Sequence, residues 1–124
     1  MARSIAFPND ANYQVLSGNI DPAVDGVTYH NFGAGADYEV KLPNPASVAV
    51  RQGYSFRVIC PDPNWIVSIT QPALQKIKAD SDITSTGVAG KLGINYGSAC
   101  VVTYFGSDFW MLTEIVYFGG ISVY

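Results

Sequence analysis

The chain has 124 residues, 48% of them apolar and only 14% charged, with ten acidic against seven basic side chains for a formal charge of −3. That size and apolar share suffice for one domain with its own core, and a charged fraction well below the usual quarter or so fits a surface wetted by neutral polar groups and packed among protein neighbours. The basic residues are scattered, only Lys76 and Lys78 falling close together, which argues against nucleic-acid binding, and no run of about 18 apolar residues offers a membrane span.

Residues 1–26 mix Asn, Asp, Gly and Pro with isolated apolar side chains and show neither a helical nor a sustained strand period. They are expected to form an N-terminal arm. The first ten residues carry no apolar run of signal-peptide length, so the protein is expected to be made and kept in the cytoplasm.

From Val27 onward short apolar or alternating runs are separated by turn chemistry at roughly the 8–12-residue spacing of a sandwich or barrel. Strands are expected over 27–31, 38–42, 55–60, 65–70, 75–79, 91–95, 98–105, 109–117 and 120–124. Between them lie Gly33-Ala34-Gly35, Pro43-Asn44-Pro45, Gln52-Gly53, Pro61-Asp62-Pro63-Asn64, a Ser/Thr/Gly stretch over 81–90, Tyr96-Gly97 and Gly106-Ser107-Asp108, each with residues suited to chain reversal. In Tyr38-Glu39-Val40-Lys41-Leu42 and in Phe56, Val58 and Cys60 the apolar residues share one face, the pattern of half-buried strands. The run from Phe109 to Phe118 is apolar on both faces apart from Thr113 and Glu114, which suggests a central strand covered on both sides. Its second cover is either this chain or a partner subunit. A helix over 72–79 is the alternative to a strand there; its short length and β-rich flanks favour the strand. The fold expected is all-β: a single β-sandwich over 27–124, jelly-roll-like, with the arm at 1–26.

Little chemistry is visible. Nucleophilic triads need a base, and the single histidine, His30, stands in a strand pattern beside a glycine turn. Asp80-Ser81-Asp82 offers two early positions of a calcium loop without the later Gly and Glu. Gly33-Ala34-Gly35-Ala36-Asp37 leads into a strand rather than a helix, so it lacks the phosphate-cradling context. Glu39, Asp108 and Glu114 remain candidates for a carboxylate pair, since spacing alone does not separate them. Cys60 and Cys100 are too far apart in sequence for a metal knuckle; buried free thiols are expected, with an inter-strand disulfide as the alternative. No catalytic residue, metal site or cofactor is assigned.

Several features resemble a small β-domain of tailed phages. These are Lys41-Leu42-Pro43 ending a strand, the turn Gln52-Gly53 before the strand 54–60, Asp80-Ser81-Asp82-Ile83, Gly97-Ser98-Ala99-Cys100-Val101-Val102 and Phe109-Trp110-Met111-Leu112. The domain is similar to those in capsid-decoration (cement) proteins and in head or tail fibres, and the likeness covers 38–124. Pro43-Asn44-Pro45 and the continuation through Phe118-Gly119-Gly120 to Tyr124 depart from the pattern. The resemblance implies a trimeric or otherwise symmetric domain that works through its surfaces and carries no catalytic residues.

On that basis the chain is expected to be a homotrimeric virion protein that binds the major capsid protein on the outer capsid surface and stabilises the shell. Trp110, Leu112, Tyr117, Phe118 and Tyr124 are the expected subunit contacts, unless they are simply core. Ile5, Phe7, Tyr13 and Val15 are the expected capsid contacts. The alternatives are a fibre tip binding host glycan through aromatics such as Trp65, and a carbohydrate-binding module.

Overall fold

The computed structural model describes residues 12–124. They form eleven strands in two sheets: β1 (Tyr13–Val15), β2 (Thr28–His30), β3 (Tyr38–Lys41), β4 (Ser55–Ile59), β5 (Val67–Thr70), β6 (Lys76–Ala79), β7 (Asp82–Ile83), β8 (Lys91–Ile94), β9 (Ala99–Gly106), β10 (Phe109–Val116) and β11 (Ile121–Val123). One sheet has the order β1-β2-β4-β9-β10-β6-β7 and the other β11-β8-β5-β3. All nine expected strands are present within a residue or two of their expected ends, the segment at 72–79 among them. The pairing is mixed: β1–β2, β2–β4, β3–β5 and β6–β10 are parallel, whereas the strands of a jelly roll proper run antiparallel.

Alternation places the core between the sheets. Tyr29, Phe56, Val58, Ile77, Cys100, Val102, Trp110 and Leu112 point inward from the seven-stranded sheet and meet Val40, Val67, Ile69, Leu92 and Ile94 from the four-stranded one in a single cluster. Trp110 sits among the rings of Phe56, Tyr54 and Tyr104, the last 4.8 Å away between centroids. A buried Trp must also satisfy its indole N–H. Gln75 does this: its Oε1 accepts from Trp110 Nε1 at 2.8 Å while its Nε2 donates to Asp108 Oδ1 at 2.8 Å. Next to it the Gln71 amide donates to the carbonyls of Gln75, Ser85 and Gly87 and accepts from the Thr84 hydroxyl. These bonds tie the loops at 71–75 and 84–90 to the core. Gly90 is fixed by the same crowding, because a Cβ there would lie 2.0 Å from Ser85 O.

The segment 12–26 is a correction to the arm. Its β1 is the edge strand of the large sheet, Leu16 and Ala23 are fully buried in the core, and Ile20 bridges Val40 along the outer side of β3. Isolated apolar residues without a period are what an edge-lining segment needs, since it buries single anchors rather than a face. Residues Ile5 and Phe7 lie outside the described residues. Cys60 and Cys100 are both buried and free.

Candidate interaction surface

The outer face of the seven-stranded sheet can be built row by row from its register, since residues paired across strands share a face. The uppermost row runs Val15, His30, Ile59, Ala99, Val116 across β1, β2, β4, β9 and β10. Four of its five members are aliphatic. The next row is Tyr13, Thr28, Arg57, Val101, Glu114, and the one below it carries Ser55, Thr103, Met111, Lys78 and Ile83.

Each row has its own chemistry. In the second, Arg57 and Glu114 reach toward each other over β9, 4.0 Å apart, which leaves Val101 between them only 5% exposed. Arg57 Nε also donates to Thr28 Oγ1 at 3.3 Å. In the third, hydroxyls bridge Ser55 to Thr103 at 2.8 Å and Thr103 to Thr113 at 2.9 Å. His30 in the top row packs its ring 6.2 Å from that of Tyr13, and its Nδ1 accepts from the Phe32 N–H. Desolvation lowers the pKa of His30 from its ordinary 6.5, so at neutral pH it belongs to the apolar row as a neutral ring.

β10 carries apolar residues on both faces ahead of Thr113, Phe109 and Met111 outward against Trp110 and Leu112 inward, and then changes phase. The register shifts between Leu112 and Glu114, so Thr113 is the extra residue of a β-bulge. Leu112 and, after the bulge, Ile115 turn inward, while Glu114 and Val116 turn outward.

Just past the top row the chain holds an aromatic cluster outward. Phe118 is 76% exposed and meets Tyr96 edge-on at 5.7 Å. It is nonetheless fixed: the Phe118 and Gly120 N–H groups both donate to Ser98 Oγ, and the Gly119 N–H donates to Tyr96 O at 2.8 Å. Gly97 permits this arrangement, since its φ is +81° and a Cβ there would lie 2.4 Å from Phe118 Cδ2. Tyr117, 53% exposed, lies beside the β6–β7 turn, where desolvation first and then Asp80, Cys100 and Asp82 raise its phenol pKa.

The expected contact residues are therefore divided. Trp110 is fully buried and Leu112 is 6% exposed, both in the chain's own core; neither is open to a subunit, because the inward phase of β10 faces the second sheet. Tyr117 and Phe118 are both exposed beyond the top row, Tyr117 beside the β6–β7 turn and Phe118 against Tyr96. Tyr124, 57% exposed, stands at the other end of β11 with Lys91 Nζ 5.1 Å above its ring, apart from both. Tyr13 and Val15 are exposed on β1. Sequence reading missed His30, Ile59, Ala99 and Val116 as one row. Each lies in a readable strand, but the pairing of β2 with β4 and of β4 with β9, strands remote in sequence, has no local signal.

Among the described residues no group of three His, Cys, Asp or Glu is placed to hold a metal, and no buried side-chain nitrogen or oxygen lacks a hydrogen-bond partner. An open depression of about 470 Å³ is lined by Asp25, Ala49, Arg51, Gln52, Gly53 and Tyr54, and Asp25 Oδ1 already accepts from the Ser55 N–H. Glu39 lies on β3 in the second sheet, Asp108 in the turn before β10 and Glu114 near the far end of that strand, so these three carboxylates form no site. Compared with known proteins, the chain matches no family model and no curated protein.

Proposed function

We propose that this chain is a non-enzymatic structural protein of a virus particle, a capsid-decoration protein that binds the outer surface of an assembled shell as a symmetric homo-oligomer. The observation that carries the reading is the exposed apolar surface at the upper end of the large sheet, where the rigidly held Tyr96 and Phe118 border its apolar row. Exposed apolar area of this kind, rimmed by polar residues, marks protein interaction sites, and Tyr and Phe suit interface cores. A small domain that presents surfaces and gathers no catalytic cluster among its described residues fits a clamp between coat subunits. Many such contacts acting in parallel strengthen a shell even when each is weak. The phage-domain resemblance over 38–124 supplies the virion context. Cosedimentation with expanded, undecorated capsids tests it. Saturation at a fixed number of copies per capsomer supports decoration, and failure to pellet with capsids under conditions where the protein binds host cells would replace it with a fibre-tip role.

A further inference from the structure

The outer face of the seven-stranded sheet is self-complementary, and we infer that two copies of this chain pack these faces together about a two-fold axis running along β9. The inference concerns the chain's own assembly and stands whether or not a capsid is the partner.

Two sheets that pack face to face keep their strands within about 30° of alignment. Two kinds of two-fold axis lying in the interface satisfy this. An axis perpendicular to the strands, through the row of Val101, lays each strand on its own copy, so Arg57 meets Arg57 and Glu114 meets Glu114. An axis along β9 exchanges the strands on either side of it, β4 with β10 and β2 with β6. Because Arg57 on β4 and Glu114 on β10 flank Val101 of β9 in one row, Arg57 of each copy then faces Glu114 of the other, twice per dimer. The same operation sets Ile59 against Val116, apolar row on apolar row. Lys78 on β6 lies one row below Arg57 and Lys76 lies below that, so both fall past the Thr28 end of β2, beside Val24, Asp25 and Gly26, where the chain has no Lys or Arg. The arrangement is isologous, with residue i meeting j and j meeting i, and the axis along β9 is the one that brings no like charges together. Six strand spacings of about 4.8 Å make the face about 29 Å wide, enough for an interface near the standard size of about 800 Å² per partner.

The test is a charge exchange read by sedimentation velocity. The wild-type chain is expected to sediment as a dimer. Arg57→Glu places acid against acid across both contacts and Glu114→Arg places base against base, so each variant alone is expected to dissociate at concentrations at least about tenfold above the wild type, like-charge juxtaposition being worth several kcal/mol. An equimolar mixture of the two restores opposite charges at both contacts and is expected to form a heterodimer. Loss of the 4.0 Å pair within each copy is not repaired by mixing, which separates interface from fold. Val116→Asp, at a residue already 55% exposed, is expected to give a folded monomer. A monomeric wild type, a wild-type trimer, or a mixture that stays monomeric would overturn the two-fold pairing. Capsid binding by such a monomer or trimer would leave the decoration reading standing.

Discussion

Gln75 ties its loop to the start of β10 through two hydrogen bonds. Its amide receives the Trp110 indole and serves Asp108, so Gln75→Leu keeps the volume but strands both partners. A buried group left without its hydrogen bond costs about 1–3 kcal/mol. The variant is therefore expected to lose at least that much stability in denaturant unfolding, and a loss under about 0.5 kcal/mol would contradict the assignment. Cys100 gives a pH dependence with a definite sign. Desolvation pushes its thiol from an ordinary value of 9.0 up to about 12. A folded pKa above the unfolded one means the contribution is complete below pH 9 and is lost as pH climbs from 9 toward 12. The limiting slope is about tenfold in the folding equilibrium per pH unit. Cys100→Ala lacks this term, so the stability difference between wild type and variant should narrow over that window; a difference that stays constant would show the thiol is not held protonated by the fold.

At the scale of elements, the β9–β10 hairpin turns through Ser107 and Asp108, both with positive φ, as a two-residue type I′ turn requires. Asn is preferred at the first position, so Ser107→Asn is expected to raise stability by a few tenths of a kcal/mol. Gly is preferred at the second, yet Asp108→Gly should destabilise because it removes the acceptor of Gln75. Thermal unfolding distinguishes these signs. Removing Thr113 takes out the bulge residue and leaves Leu112 inward, Glu114 outward and Ile115 inward, so that deletion should fold. Deleting Met111 instead throws Trp110 or Leu112 out of phase and should not.

These elements also show where the sequence was legible. The alternation in Phe56-Arg57-Val58 and Tyr38-Glu39-Val40 fixes which side chains enter the core, and the turn residues fix where strands end, so nine strands and their faces could be read. In β10 the apolar Phe109 and Met111 share the outer face while Trp110 and Leu112 share the inner one, and the bulge at Thr113 reverses the phase after it, so alternation alone does not say which set meets the core. The edge strand β1 has three exposed residues and no alternation to detect. Pairs between strands remote in sequence, parallel for β2–β4 and antiparallel for β4–β9, leave no local trace, which is why the row from Val15 to Val116 is not legible although each of its members is.

At the scale of the whole molecule, the large sheet is filled on one face by the chain's own core, and among the described residues no second layer of the chain packs on the other. The four-stranded sheet ends in Tyr124, at the far end of β11 from the aromatics Tyr96 and Phe118. On the proposed decoration reading, the end bearing Val15, Tyr117 and Phe118 is the one that would be directed at the coat. Replacing Tyr117 and Phe118 together by Ser removes exposed rings without touching the core. Stability should change by less than about 1 kcal/mol, as is usual for surface positions, while capsid affinity should fall by tenfold or more, the scale of a lost aromatic anchor. The most direct measurement is an electron cryomicroscopy reconstruction of expanded capsids saturated with the protein. The expected map shows a β-sandwich on the outer surface with the Tyr96 and Phe118 end seated on coat subunits. Bare capsids, or a sandwich attached by its β11 and Tyr124 end, would contradict the proposed surface.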